Sequence, residues 1–200
     1  MWKRIIDITF SLSSLVITAP LFLLIALLIK KEDRGPVFYR GIRIGRGGRP
    51  FKMFKFRTMV VNADKLGGPS TSADDPRLTN IGKFLKRYKL DELPQFINVL
   101  KGEMSIVGPR PEVPFYVGMM TKEEREKILS VKPGITDLAS LWDIREEEVL
   151  KGSSDPEKTY QEKIRPTKLK LQKEYVENRS LWLDLKIIAK TIFRIFPNTF

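Results

Sequence analysis

ITFSLSSLVITAPLFLLIALLI, residues 8–29, is an unbroken run of uncharged, mostly apolar residues with one proline, Pro20, near its middle. At about 1.5 Å rise per residue, a straight helix of this length reaches roughly 33 Å, enough to cross the hydrocarbon core of a bilayer. The flanking charges argue about direction. Lys3 and Arg4 precede the run, and Lys30, Lys31 and Arg34 follow it. Both ends therefore carry cations that favour the cytoplasmic side, and a single crossing satisfies only one of them. Pro20 lacks an N–H donor and its ring collides with the preceding turn, which predicts a kink. A bent helix that enters and leaves through one face of the membrane meets all of these conditions. A spanning helix, with neighbours rescuing the freed carbonyl, is the alternative. A cleaved signal peptide fits poorly, because the run is long and no small-residue cleavage site precedes Lys30.

The chain has 200 residues, and what lies beyond the apolar run is enough for one domain with its own core. Lysine and arginine total 36 against 24 acidic residues, a net charge of +12. Such an excess points to an anionic partner: nucleic acid, anionic lipid or a phosphorylated substrate, of which the apolar run favours the last two. Cysteine is absent, which excludes disulfides and thiolate chemistry and fits a reducing compartment. Histidine is absent too, so serine–histidine triads and zinc–histidine sites are excluded. Any acid–base, nucleophilic or metal chemistry must use carboxylates, hydroxyls, lysines or the backbone.

Past the apolar run, residues 36–44 and 50–57 are rich in aromatic and β-branched residues and predict two short strands joined by a hairpin turn at 45–49. The string GRGGR in that turn lacks the strand-to-helix context of a nucleotide-binding loop. Residues 62–77, NADKLGGPSTSADDPR, predict a polar loop. Thr79 or Asn80 can cap a short helix over 81–88, with Phe84, Leu85 and Tyr88 on a face opposite Lys83, Lys86 and Arg87. It suits either a solvated cationic face or a helix lying at a membrane surface. A second helix is expected over 92–100 with Asp91 as its N-cap and Gly102 past its end. Met104–Val107 leads into GPRPE, which carries Arg110 in a proline-stiffened segment, and a charged helix follows over 121–129. Near the end, residues 181–196 place Lys186, Lys190 and Arg194 at helical spacing beside a wide apolar arc that includes Trp182 and Phe193, as an interface helix would.

The candidate chemistry sits in KLDELPQ, where Asp91 and Glu92 are adjacent. Neighbours on a helix point about 100° apart, so these carboxylates have separate jobs and do not share a proton. At a helix N-terminus the macrodipole keeps a carboxylate ionised and attracts phosphate oxygens. An ionised aspartate can attack phosphorus if cations screen the substrate; Lys55, Arg57, Lys86, Arg87 and Arg110 are available for that, and magnesium held by carboxylate and phosphate oxygens would complete the screening. A plain helix cap at Asp91 explains the same spacing.

Five strings carry a resemblance over nearly the whole chain: KRIIDITFSLSSLVITAPLFLLIALLIK, GPVFYRGIRIGRGGRPFKMFKFRTM, DDPRLTNIGKFLKRYKLDELPQFINVLKGEMSIVGPRPE, KPGIT and ENRSLWLDLKIIAKT. The chain resembles the bacterial sugar transferases that are monotopic polyprenyl-phosphate phosphoglycosyl transferases. The resemblance implies an α/β fold, mostly helical with a small β-hairpin or sheet. It implies a re-entrant helix-break-helix at Pro20 within residues 1–34, interfacial amphipathic helices, and a catalytic domain over 35–200 at the cytoplasmic face of the bacterial inner membrane. It makes Asp91 the nucleophile and magnesium-binding residue and Glu92 its catalytic partner, with Arg110 and Lys55 in phosphate-binding elements. The implied reaction moves a sugar 1-phosphate from UDP-sugar to polyprenyl phosphate by a ping-pong route, starting a membrane-linked glycan. The implied partners are UDP-sugar, polyprenyl phosphate and the inner leaflet, with no nucleic acid and a homo-oligomer left open. The chain departs from the family in carrying Ala19–Pro20 for Ser-Pro and Lys86 for an arginine, a point charge in place of a bidentate fork. Residues 137–150, DLASLWDIREEEVL, also differ from the usual form in a region implied to read the sugar or nucleotide. A membrane-anchored basic module that binds lipid or nucleic acid without catalysis is the rival, and a catalytic piece of a larger assembly is a third expectation.

Overall fold

The computed structural model describes residues 2–68, 71–142 and 149–195. It opens on one long helix, α1 (Trp2–Asp33), which carries Pro20 inside it. The expected break at Pro20 is therefore not an interruption of the helix as a hydrogen-bonded element. Two residues ahead of the proline, the Thr18 hydroxyl donates to the Ser14 carbonyl at 2.6 Å, a back-bond of the kind that bends helices.

The expected hairpin forms. β1 (Phe38–Ile44) and β2 (Pro50–Phe56) pair antiparallel, Phe38 opposite Phe56 and Ile44 opposite Pro50. The connecting turn closes with Gly45 N–H donating to the Arg49 carbonyl at 2.8 Å. Gly47 and Gly48 take φ of 68° and 77°, which explains the glycines without any ligand. Next comes α2 (Asn80–Arg87), whose N-cap is Thr79, its hydroxyl accepting from Gly82 N–H at 2.9 Å. The expected apolar face of α2 splits: Leu85 is buried, whereas Phe84 is 54% exposed and stacks beside Tyr88 with ring centroids 4.9 Å apart.

The helix expected over 92–100 starts later, as α3 (Gln95–Lys101). It leads into β3 (Ser105–Val107), then α4 (Pro114–Gly118), α5 (Lys122–Ile128) and β4 (Gly134–Thr136). Strands β3 and β4 pair in parallel, Ser105 with Gly134 and Val107 with Thr136, a contact that local pattern did not foretell. α6 (Leu138–Trp142), α7 (Pro156–Thr159), α8 (Arg165–Asn178) and α9 (Leu181–Ile195) complete the described chain. The part of the sequence departure that falls on 143–148 lies outside the described residues.

Both ends of α1 are tied to this domain. Near its start, the Lys3 ammonium donates to the Val107 carbonyl at 3.0 Å and pairs with Asp184 at 2.5 Å. Arg4 donates to the Val99 and Leu100 carbonyls in the last turn of α3, where a cation is favoured by the helix dipole. The buried Asp7 carboxylate accepts from Ser105 Oγ and from Ile106 N–H at 3.0 Å. At the other end, Ile25 and Ile29 bury against Phe56 and Leu85. Glu32 accepts from Asn80 N–H at 2.7 Å, placing a carboxylate at the start of α2. Between these anchors Leu12, Val16, Ile17 and Pro20 are exposed. A second apolar face lies on α9, where Trp182 and Phe193 are exposed while Ile187 and Asp184 on the other side are buried.

Strands β3 and β4 approach so closely at their ends that Gly108 and Gly134 leave no room for side chains: a Cβ on Gly134 would fall inside the backbone of Gly108. Gly134→Ala is therefore expected to cost about 2 kcal/mol through overpacking. In a domain of this size that lowers the melting temperature by roughly 4–8 °C, measurable by differential scanning fluorimetry of the detergent-extracted protein.

Candidate active site

Asp91 and Glu92 lie in a single 3-10 turn, Leu90–Glu92, placed between α2 and α3. Lys89 precedes it with φ of 54°, an uncommon left-handed conformation for a residue with a side chain. Asp91 is thus not the N-cap of α3, a position that Pro94 occupies. The cap explanation for this aspartate fails, because the chain reverses at Lys89 and delivers the carboxylate to a cavity instead.

α3 is fastened to the hairpin by one buried amide. Asn98 Oδ1 accepts from Phe54 N–H at 2.9 Å, and its Nδ2 donates to the Lys52 carbonyl at 2.9 Å and to Glu103 at 2.7 Å. This sets the turn against β2. On β2 the alternation of a strand puts Met53 and Lys55 on one side, in the cavity lining, while Phe56 packs with Ile25 and Ile29 of α1 and touches the cavity as well. The Lys55 ammonium then meets Glu92 at 2.7 Å and Asp91 at 3.6 Å.

Arg110 arrives from the opposite direction. β3–β4 pairing continues as Gly108 N–H to the Thr136 carbonyl and Gly134 N–H to the Pro109 carbonyl, each at 3.0 Å. Asp137, fully buried, accepts from Arg110 N–H at 3.1 Å and from Ser140 N–H at 2.7 Å, so the residue that starts α6 also holds the GPRPE segment. The Arg110 guanidinium forks onto both oxygens of Glu92, one contact measuring 3.2 Å.

These groups line one cavity of about 990 Å³ together with Arg43, Lys86 and Lys89. Of the phosphate-binding residues expected from sequence, Lys55, Lys86 and Arg110 reach it around Asp91. Two depart from expectation. Arg57 borders the cavity but is only 6% exposed, and its guanidinium is committed to Asp33 at 2.6 Å, the Pro36 carbonyl at 2.7 Å and the Met59 carbonyl at 2.8 Å. It clamps the end of α1, because a desolvated guanidinium must satisfy its donors locally. Arg87 is exposed on α2, outside the cavity lining, with its guanidinium 5.9 Å from the centre of the Tyr88 ring. Sequence reasoning missed Arg43, Lys89 and Asp137. Only Asp137 had a signal, an aspartate directly before an apolar helix.

The two carboxyls differ in environment. Asp91 is 5% exposed, and burial pushes its carboxyl above the ordinary aspartate range against the pull of Lys55. Burial also opposes the charge on Glu92, but Arg110 and Lys55 overcome it and hold that carboxyl well below the usual glutamate value. Both carboxyls line the cavity; Glu92 is engaged by Lys55 and Arg110, whereas Asp91 lies at 3.6 Å from Lys55. Among the described residues, no group of three or more metal-ligating side chains occurs. Magnesium commonly takes one or two carboxylates with its remaining ligands from substrate phosphates and water, and Asp91 is a residue that could supply such a carboxylate.

Residues 1–198 match the family model described as Bacterial sugar transferase. The chain is 39% identical over 209 residues to a UDP-glucose:undecaprenyl-phosphate glucose-1-phosphate transferase of Klebsiella pneumoniae, covering 99% of this chain and 41% of that protein. A UDP-N-acetylgalactosamine-undecaprenyl-phosphate N-acetylgalactosaminephosphotransferase of Aeromonas hydrophila is 37% identical, covering 95% of this chain and 42% of the relative. The Exopolysaccharide production protein ExoY of Sinorhizobium fredii is also 37% identical, with 95% of this chain and 83% of the relative covered. The chain thus spans about two fifths of the length of the first two relatives.

The inverted order of the carboxyls is measurable. In carbon-detected NMR titrations of the detergent-solubilised protein, Asp91 is expected to titrate above Glu92, although aspartate is ordinarily the stronger acid. Lys55→Met moves both upward, because each loses the same cation. The stability contributed by Glu92 is present above its ordinary value of 4.5 and is lost as pH falls through its depressed folded value.

Proposed function

We propose that this chain, which belongs to the bacterial sugar transferase family, transfers a sugar 1-phosphate from a UDP-sugar to polyprenyl phosphate and so starts a membrane-linked glycan. The observation that carries this reading is Asp91: a nearly buried carboxylate facing a cavity whose nearby walls present Lys55, Lys86, Lys89 and Arg110. Cations in that number suit a diphosphate, and the low dielectric strengthens each of them.

In the proposed reaction an oxygen of the Asp91 carboxylate attacks the β-phosphorus of the UDP-sugar. The bond from that phosphorus to the bridging oxygen breaks, and UMP leaves with the oxygen and the electron pair. The phosphosugar stays on Asp91 as an acyl phosphate until an oxygen of polyprenyl phosphate attacks the same phosphorus and returns the carboxylate. The acceptor is largely ionised near neutral pH and needs no strong base. Glu92 acts by fixing Lys55 and Arg110, with both of its oxygens engaged by them. A magnesium ion on Asp91 and the diphosphate would add charge screening. The Klebsiella pneumoniae and Aeromonas hydrophila relatives are named for different sugars and for the same undecaprenyl phosphate, which supports that lipid as acceptor here.

For the seat of the reaction we propose the cytoplasmic face of the inner membrane, with residues 35–200 as the catalytic domain and α1 as a re-entrant support. What supports re-entry is that Lys3, Arg4 and Asp7 at one end and Glu32 and Asp33 at the other all bond to the same domain. A crossing would strip one set of these partners away. The exposed apolar middle of α1, Phe84 on α2 and Trp182 with Phe193 on α9 supply surfaces for lipid.

Membranes containing the protein, given magnesium, undecaprenyl phosphate and a panel of UDP-sugars, are expected to release UMP and form an organic-soluble sugar product. Asp91→Asn should lower the rate roughly a thousandfold or more, as removal of a nucleophile does; undiminished turnover would refute the assignment. Because the chain has no cysteine, Trp2→Cys and Lys31→Cys report topology cleanly. Both should label from the cytoplasmic side, and labelling from opposite sides would leave a spanning anchor.

A further inference from the structure

Away from Asp91, the same cavity is lined by Glu112, Tyr116, Glu157, Tyr160 and Lys168, none of which takes part in the phosphate chemistry proposed above. Lys168 is only 8% exposed; its ammonium donates to the Tyr160 hydroxyl at 3.0 Å and lies 3.3 Å from Glu112 Oε1. The Tyr160 hydroxyl in turn donates to Glu112 Oε1 at 3.3 Å. Beside this chain, the Tyr116 hydroxyl donates to Glu157 at 2.7 Å, and Gln161 Nε2 donates to the same carboxylate at 2.9 Å. The two tyrosine rings lie 4.9 Å apart.

Two features indicate that this network faces a ligand. Tyr160 opens a single π-helical turn, Tyr160–Ile164, between α7 and α8. Widened turns of this kind are rare, and they recur at functional sites. The network is also joined directly to the phosphate end: Glu112 follows Arg110 by two residues, at most about 7 Å of extended chain, and both side chains line the cavity.

The charge pattern identifies the ligand class. Around Asp91 cations outnumber acids, whereas here two carboxylates and two phenols surround one ammonium, and Arg43 in the lining is close enough to act on both Glu112 and Arg110. Such a wall repels phosphate. Its alternating donors and acceptors match adjacent hydroxyl or amide groups on a neutral ring.

We propose that Glu112, Tyr116, Glu157, Tyr160 and Lys168 form the pocket for the sugar ring of the nucleotide-sugar, and that Tyr116 and Glu157 help to decide which sugar is accepted. The inference rests on the phosphosugar-transfer reading. With the β-phosphorus at Asp91 and Arg110, the sugar is the group bonded directly to it, one ring away, where Glu112 stands.

The test uses the detergent-purified full chain, with UMP-release kinetics over a panel of UDP-sugars and calorimetric affinities for UMP. Tyr116→Phe and Glu157→Gln are each expected to lower kcat/KM for the best UDP-sugar by about tenfold or more and to change the ranking of the panel. UMP affinity should stay within about twofold, since UMP lacks the transferred sugar and the β-phosphate that carries it. Glu112→Gln serves if either variant fails to fold. An equal loss of UMP affinity would assign the pocket to the nucleoside and overturn the proposal, as would an unchanged rate and ranking in both variants. If the wild-type chain releases no UMP from any UDP-sugar, the transfer reading fails. Calorimetric affinities for UDP-sugar against UMP then still decide the pocket.

Discussion

One apolar helix must hide its middle from water while both of its ends stay bonded to the same folded domain, and most of the architecture follows from that demand. Each exposed leucine, valine or isoleucine of α1 represents about 1.5–3 kcal/mol gained on leaving water. The anchors resist any arrangement that would separate the ends. Asp7 is bonded to β3, the strand that leads to Arg110; Ile25 and Ile29 pack on Phe56, next to Lys55 on β2. The two tethers of α1 therefore lie directly behind the two segments that bring cations to Glu92. Membrane attachment and site assembly are coupled through the same residues, so a change in how α1 is seated would be felt in the cavity.

Within the cavity, function is divided by charge. Glu92, paired with an ammonium and a guanidinium, is a fixed post for those cations, whereas the nearly buried Asp91 lies at 3.6 Å from Lys55. The same residue type thus does two jobs on adjacent positions, because a left-handed Lys89 and a short 3-10 turn send the side chains to different surroundings. Farther along the cavity, Glu157 is hydrogen-bonded by the Tyr116 hydroxyl and Glu112 is paired with Lys168.

Several elements were legible in the chain itself. The hairpin followed from two β-rich runs around a glycine-rich turn, and α2 from a threonine cap before an apolar run; both rest on bonds between near neighbours. The apolar face expected on α2 is divided in the structure, with Leu85 buried and Phe84 turned outward. The cap expected at Asp91 was wrong because helical spacing alone does not show that Lys89 reverses the chain. Arg57 was counted among phosphate ligands as one of the cations available to screen a phosphorylated substrate, two residues from Lys55. Its partner Asp33 is far away in the chain, at the end of the membrane helix.

The amino-acid sequence by itself determined the apolar run with cations at both ends, the exclusion of thiol and imidazole chemistry, the local hairpin and helix signals, and the motifs that mark the family. All of these depend on residue type and short-range spacing. Only the tertiary structure decided which cations meet Glu92, that Asp91 faces the cavity without capping a helix, that Asp137 holds Arg110, and that both ends of α1 share one domain. Those contacts join segments far apart in the chain. They are chosen by parallel pairing of β3 with β4 and by the satisfaction of buried polar groups, constraints that act on the folded chain as a whole and leave little trace in any local window.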